Sequence, residues 1–492
     1  MSSGRPAVAA GPSGCAAVAT GNAASTAAAV AVLNAGGNAV DGAVAAGFAS
    51  AVAEPGLTSI AGGGFLNVHF PDGSATVLDF FTTVPGIERR GPAPEPATIT
   101  VVYPSAQQDF RVGPASAAVP GVLSGYLEAH RRYGRLPISE VVAPAVRLAD
   151  VGAVIDSSQA YILTLIEPIA RHTPSAAAVY APGGELLVAG DILRDRELHS
   201  FLQAVADGAI TGLTSPGIAE PLLAMAADGS GITAADLALY QPIWRDPLHD
   251  QLHGWTVLTN PAPAFGGQII TTALRLLDDY GFAALAVALG AATAAVKNGP
   301  AATTGTTHIS IVDSEGLVAA MTTTNGAGGG VLIPGTGIQL NNMLGEDDLI
   351  PDGIEAMVPG ARLASMSAPT VVLAPDGTLT ALGSGGSARI RSALAGVIVR
   401  LRDGHESLAD AIAGPRVHLE ESGVVQAEAG LSVEALAQLR EVFEVNIWDR
   451  TDFYFGGVNA VQRNPDGSVL AVADHRRNGS AAVVPPAGQT LR

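Results

Sequence analysis

The stretch that most constrains this chain runs from Gly305 to Gly326, because its residues alternate, turn and alternate again. Thr307, Ile309 and Ile311 fall on one face of the first arm, and Thr306, His308 and Ser310 on the other. Asp313-Ser314-Glu315-Gly316 is turn chemistry, and the chain returns as Leu317 to Thr324. These residues predict a β-hairpin. A two-residue loop at Ser314-Glu315 sets Thr306 opposite Thr323, and a three-residue loop ending in Gly316 sets it opposite Thr324. Directly opposed residues share a face at close approach. Either way Thr306, preceded by Gly305, meets a second threonine at the mouth of the hairpin. Threonine is also simply a good strand former, so the function of the pair has to be decided by the rest of the chain.

With 492 residues, 48% of them hydrophobic, the chain can bury a large core. Only 14% are charged, well below the usual share of about a quarter. Its apolar runs are rich in alanine and are broken by Gly, Asn, Asp or Pro before reaching membrane-spanning length, so a globular protein off the membrane is expected. A net charge of −19 argues against a nucleic-acid partner, whose phosphates require a basic surface. The single cysteine, Cys15, excludes an internal disulfide and reads as a small buried residue. The N-terminal residues lack an uninterrupted apolar core, so no signal peptide is read and a cytoplasmic location is expected.

Residues 14–54 read as two small-residue helices, the first capped by Asn22 or Ser25 and the second opened by Asn38 or Asp41. Ala61-Gly62-Gly63-Gly64-Phe65 leads into strands at 66–70 and 75–81. Helices are expected at 121–133, 138–151, 157–171, 194–207, 217–227 and 268–280, and Thr233 to Asp236 is a capping box. Residues 281–305 are weakly patterned and end in turn-rich sequence. Two more hairpins are predicted, at 370–382 and 459–472, and Gly383-Ser384-Gly385-Gly386-Ser387 opens a helix at 390–401. Hairpins and helices mixed through both halves indicate an α+β fold with largely antiparallel sheets.

Several chemistries are excluded. There is no Gly-x-Ser-x-Gly elbow, no Walker loop and no His-Glu-x-x-His helix, and the histidines lack metal-ligand spacing, so neither a cofactor nor a metal is expected. The Gly383 to Ser387 loop formally fits a dinucleotide fingerprint, but its feeding strand is a hairpin arm. Its backbone N–H groups suit an oxyanion better. A threonine nucleophile needs a base, and none is evident beside Thr306. Cleavage before Thr306 would supply one, since the freed α-amine, with a reference pKa of about 7.7–8.0, can take the hydroxyl proton.

The chain resembles the γ-glutamyltransferase family of N-terminal-nucleophile hydrolases. The resemblance is carried, in order, by Gly36 to Asp41, Gly62 to Phe65, Pro120-Gly121, Phe265 to Gly267, Thr306 to Asp313, Leu340-Asn341-Asn342, Ser365 to Thr370 and Gly383 to Ser387. It implies a four-layer αββα sandwich over one domain, residues 1–492. It further implies self-cleavage between Gly305 and Thr306, leaving segments 1–305 and 306–492 as a two-chain particle that could associate further. By resemblance, Thr306 is the nucleophile, Thr323 or Thr324 supports it, and Gly385 and Gly386 belong to the oxyanion region. Asn325 touches substrate, and Glu346, or next Asp347, holds a substrate amine. Of two carboxylate-binding serines, one reads Ala364 and the other is Ser365. The carboxylate-binding arginine that follows Asp-Phe in the family is here Phe81, which cannot make a bidentate clamp. Arg362 and Arg389 flank the site in sequence, as anion ligands or as surface charges. The expectation is an enzyme acting on a small-molecule amide other than a γ-glutamyl compound. A true γ-glutamyltransferase or glutathione hydrolase, and a degenerate member that only binds, are the alternatives.

Overall fold

The strands Thr306–Val312 and Val318–Thr324 pair as a hairpin near the middle of a seven-stranded sheet. They do so in a computed structural model that describes residues 4–102, 107–277, 281–296, 305–346, 349, 353, 356–486 and 489. In chain order the strands of the two large sheets are β1 (Ala7–Gly11), β2 (Ala16–Thr20), β3 (Gly63–His69), β4 (Ala75–Asp79) and β5 (Ile243–Arg245). Next come β6 (Leu248–Leu252), β7 (Trp255–Thr259), β8 (Thr306–Val312), β9 (Val318–Thr324) and β10 (Thr370–Leu373). The last four are β11 (Leu379–Gly385), β12 (Gly457–Arg463), β13 (Val469–Ala473) and β14 (Ser480–Val484). One sheet runs β14-β2-β8-β9-β3-β4-β5 and the other β1-β13-β12-β11-β10-β7-β6. The β8–β9, β8–β2, β9–β3 and β11–β12 pairs that frame the site are all antiparallel.

The two sheets face each other across small apolar residues, among them Ala17, Ala19, Val312, Val318 and Ala320 from one and Val371, Ala381, Val461 and Ala471 from the other. Small side chains let the sheets approach closely, and both faces of β8 and β9 are buried. Outside the β8 sheet lie α1 (Ala23–Asn34), α2 (Ala39–Ala53), α3 (Val122–Tyr133), α4 (Ile138–Val151) and α5 (Arg196–Ala206). Outside the other lie α6 (Gly266–Leu276), α7 (Phe282–Val296) and α8 (Arg389–Arg402). The result is the αββα sandwich. Asn22 caps α1, and Asn38 with Asp41 forms a capping box on α2.

The differences from the sequence-based expectations have local causes. Helix α7 falls where the pattern looked weak, because it is apolar nearly all round and shows no polar face to mark its period. Ala16–Thr20, which alanine propensity assigned towards a helix, is strand β2, held between β14 and β8. Tertiary pairing overrides propensity there. The helix expected over 157–171 is two, Ser157–Leu165 and Glu167–Ala170, with Pro168 in the first turn of the second. Residues 297–304, Tyr280 and Asp347 lie outside the described residues. Among the described residues, no helix is long and apolar enough to cross a membrane, and no group of three His, Cys, Asp or Glu side chains could hold a metal ion.

Candidate active site

A three-residue loop, Ser314-Glu315-Gly316, closes the hairpin: Asp313 N–H donates to Leu317 O at 3.0 Å and Gly316 adopts φ 90°. The register therefore sets Thr306 opposite Thr324 and Thr307 opposite Thr323. The two threonine pairs serve different faces. His308, two residues along from Thr306, packs on Gly383 of the facing sheet, so the Thr306 face looks into the space between the sheets. Thr307 and Thr323 look toward the helices. The hydroxyl of Thr323 bonds that of Thr58 at 3.0 Å, which places Thr323 behind the Thr306 face and leaves Thr324 as the partner threonine.

The Thr324 hydroxyl donates to the carbonyl oxygen of Gly305 and accepts the Gly326 N–H at 3.2 Å. The peptide bond before Thr306 is thus gripped by its own carbonyl. Gly305 has no room for a side chain, since a Cβ there would lie 2.0 Å from the Gly326 carbonyl oxygen and 2.3 Å from that of Gly56. On the other side, a Cβ on Gly385 would lie 2.1 Å from the Thr306 carbonyl oxygen. Gly385, at the end of β11, is therefore brought against Thr306, while Gly386 lies against Gly456 and Arg477. Gly386 (φ 126°) and Ser387 (φ 62°) hold the turn that leads into α8.

Asn325 and Glu346 organise the next loop. The Asn325 amide donates to Gln339 Oε1 at 3.1 Å and to the Leu340 carbonyl at 3.3 Å, while its Oδ1, fully buried, has no hydrogen-bond partner among the described residues. A buried acceptor in that state is suited to a substrate donor. Glu346 Oε1 accepts the Ala327 N–H at 3.0 Å and so steadies the same loop. Ser365 is engaged elsewhere: its carbonyl accepts the Phe265 and Gly266 N–H groups, which ties it to the start of α6, and its hydroxyl oxygen accepts the backbone N–H of Ser367.

Phe81 is buried and stacked on Phe65, ring centroids 5.4 Å apart, among Met343, Leu344 and Leu363. An apolar cluster occupies the place of the expected clamp. Arg362 is neither a surface charge nor a free anion ligand. It donates to the backbone carbonyls of Phe81 and Gln241 and faces Asp79 at 3.5 Å, a carboxylate that also pairs with Arg245 at 2.9 Å. Arg389 donates to the Tyr454 carbonyl at 3.2 Å and lies over the Tyr454 ring.

Three buried polar groups near the site were not singled out in the sequence. His308 bonds Thr322 and Ser310, each at 2.8 Å, and burial pushes its imidazole down to about 3, so it is neutral and structural rather than a general base. Glu54, at the end of α2, is fully buried. Desolvation pushes its carboxyl up to about 7, against the opposing pull of the Thr307, Ser50 and Ser25 hydroxyls. The one available signal was a lone charge ending an apolar run. Arg477 follows the C-terminal hairpin, and desolvation, with Arg389 nearby, pulls its guanidinium down to about 9, still a cation at neutral pH. Cys15 is buried between the sheets, where desolvation raises its thiol pKa, away from the thiolate a nucleophile needs.

A family model described as Gamma-glutamyltranspeptidase matches residues 25–296 and 290–484. The chain is 32% identical to the acylase ACY 1 proenzyme of Pseudomonas sp. (strain SE83), over 95% of this chain and 93% of that protein. It is 27% identical to the glutathione hydrolase proenzyme of Escherichia coli (strain K12), over 93% and 90%. The cephalosporin acylase from Bacillus halodurans shares the fold, with a TM-score of 0.81 at 22% identity over 98% of this chain and 97% of that one.

Proposed function

Since this chain belongs to the gamma-glutamyltranspeptidase family and is an enzyme of amide hydrolysis or acyl transfer, we propose that it cuts itself between Gly305 and Thr306 and then uses Thr306 as its nucleophile. The observation that carries this is the grip of the Thr324 hydroxyl on the Gly305 carbonyl, at the first residue of a strand buried on both faces. A hydrogen bond to that oxygen favours attack at its carbon. In the first step the Thr306 hydroxyl adds to the Gly305 carbonyl carbon. The C–N bond breaks, the hydroxyl proton passes to the departing nitrogen, and Gly305 is left as an ester on Thr306. Water hydrolyses that ester, giving a Gly305 carboxylate and a free Thr306 α-amine.

In turnover the α-amine accepts the Thr306 hydroxyl proton as the oxygen attacks a substrate amide. Backbone N–H groups of Gly385 and Gly386 receive the oxyanion, and the substrate amine leaves with the proton. The acyl-threonine then passes to water or to an amine acceptor. Segments 1–305 and 306–492 stay together because β8 lies between β2 and β9, and β9 beside β3, in one sheet. The apolar surroundings of Phe81 support an acyl group other than γ-glutamyl. One cysteine, and so no internal disulfide, supports a reducing compartment, the cytoplasm. The test is intact mass of the purified protein: two chains are expected from wild type and one from Thr306→Ala.

A further inference from the structure

Glu54 is the C-terminal cap residue of α2 and is fully buried behind the cleavage hairpin. A carboxylate there gains nothing for the fold, since burial disfavours its charge and the C-terminal end of a helix dipole repels it. The side-chain partners around it are hydroxyls. Oε1 accepts the Ser25 hydroxyl of α1 at 3.2 Å, and the Ser25 and Ser50 hydroxyls are bonded at 2.8 Å. Oε2 has no hydrogen-bond partner among the described residues. Beside it stands Thr307 of β8. The Cβ position of Gly21 lies 2.6 Å from Thr307 Oγ1 and 3.1 Å from Glu54 Oε2, so this glycine leaves the gap in which the two groups meet. The charged and titratable groups that face Glu54 are Asp156, whose charge opposes its ionisation, Tyr126 of α3, and Arg477, which lies in its field.

The same residue starts the turn that lies against the scissile bond. The Glu54 carbonyl accepts the Leu57 N–H at 3.1 Å and the Thr58 N–H at 3.4 Å. From that turn the Leu57 carbonyl accepts the Asn325 N–H at 3.3 Å, and the Thr58 hydroxyl bonds that of Thr323 at 3.0 Å. A Cβ on Gly305 would lie 2.3 Å from the Gly56 carbonyl oxygen. Glu54 thus reaches the hairpin on both sides of Thr306, through Thr307 after it and through the turn against Gly305 before it.

We propose that Glu54 is a positioning residue for Thr306: its ionised carboxylate holds the Thr307 hydroxyl and so fixes the first residues of β8, and self-cleavage and turnover are slower when the carboxyl is neutral. The proposal rests on Thr306 as nucleophile and gives that site a pH-dependent control. A carboxylate accepts the Thr307 O–H in a charge-assisted bond, shorter and about twice as strong as a neutral one. Thr307 points away from the face that carries the Thr306 hydroxyl, so Glu54 exchanges no proton with the reacting atoms. It acts through the placement of β8, and a displacement of about 1 Å at a reacting centre costs about 100-fold in rate.

The test uses the full chain. Self-cleavage is followed as loss of the intact chain after cell-free synthesis and a jump to about pH 5.5 or about pH 8.5, either side of the value of about 7 to which burial pushes Glu54. Turnover is followed at the same two pH values as p-nitroaniline release from acyl anilides. Dividing the wild-type rate by the Glu54→Gln rate cancels the titrations that the two chains share, that of the Thr306 α-amine included. This ratio is expected to rise roughly tenfold with pH, the margin of a charged over a neutral hydrogen bond, and to stay flat when both chains also carry Thr307→Val. The stability of Glu54→Gln relative to wild type rises over the same window, so a merely structural role would make the ratio fall. A ratio that falls or stays constant overturns the proposal, and so does a rise that persists with Thr307→Val. Where Glu54→Gln fails to fold, the ratio of wild type to Thr307→Val is read instead: the same rise supports the proposal, and a constant or falling ratio overturns it. A wild type that splits and turns over with a constant ratio leaves the Thr306 mechanism standing without Glu54, and one that does neither removes both.

Discussion

Gly385→Ala probes the geometry at Thr306 without touching a reactive group. The added Cβ would stand 2.1 Å from the Thr306 carbonyl oxygen and 3.1 Å from Arg477 Nη1. Even the close C–H···O contacts of sheets settle at about 3.3 Å, so the Thr306 backbone or the β11 end must retreat by about 1 Å. Relieving an overpacked contact of this kind costs about 1–3 kcal/mol, which a chain of this size tolerates. A misplacement of about 1 Å at a reacting centre costs about 100-fold in rate. Gly385→Ala should therefore fold, melt somewhat below wild type and self-cleave about 100-fold more slowly, followed as the disappearance of the intact 49.4 kDa chain. Gly383→Ala is the control. Its Cβ would meet the His308 ring at 2.2 Å, a clash of similar severity two residues further from the scissile bond. It should cost stability and slow cleavage less. Wild-type cleavage kinetics in Gly385→Ala, or equal slowing in the two variants, would refute the claim that the Gly385 backbone aligns Thr306.

Three other outcomes are expected. Thr324→Val keeps the shape and removes the donor to the Gly305 carbonyl; it should slow self-cleavage about 100-fold, as loss of one oxyanion donor does, and unchanged gel time courses would count against that role. The Glu54 carboxyl, at about 7 when folded against an ordinary value of 4.5, holds its proton longer folded than unfolded. The Glu54 contribution to stability is thus fully present below about pH 4.5 and is lost, by about 3 kcal/mol, as pH rises through 7. Glu54→Gln cannot lose a proton, so its unfolding midpoint relative to wild type should rise across that window, and a difference independent of pH would contradict the burial argument. γ-Glutamyl-p-nitroanilide should be a poor substrate compared with simpler acyl anilides, and efficient release of p-nitroaniline from it would show that Phe81 does not define the pocket.

Much of this site could be read from the amino acids because it is built on one hairpin. Alternation from Thr306 to Val312, a turn ending in glycine and the return to Thr324 narrowed the partner threonine to two positions, and the three-residue loop then selected Thr324. The capping residues Asn22, Asn38 and Thr233 were equally legible, since a cap is a short-range bond between a side chain and nearby backbone. Other features depend on distant parts of the chain. The pKa shifts of Glu54 and Arg477 follow from what is packed around them, and neither carries a local pattern. Strand β2 exists because β14 and β8 flank it, although Ala16 to Thr20 alone leans towards a helix. Arg362 reads by position as an anion ligand or a surface charge, but its guanidinium is committed to Asp79 and two backbone carbonyls.

Intact mass spectrometry of the wild-type chain beside Thr306→Ala tests the central claim most directly. The wild type should resolve into two chains, the second beginning at Thr306, that co-purify as one particle, and the variant should remain a single chain of 49.4 kDa. An uncleaved wild type, or a Thr306→Ala variant that still splits at the same bond, would contradict it.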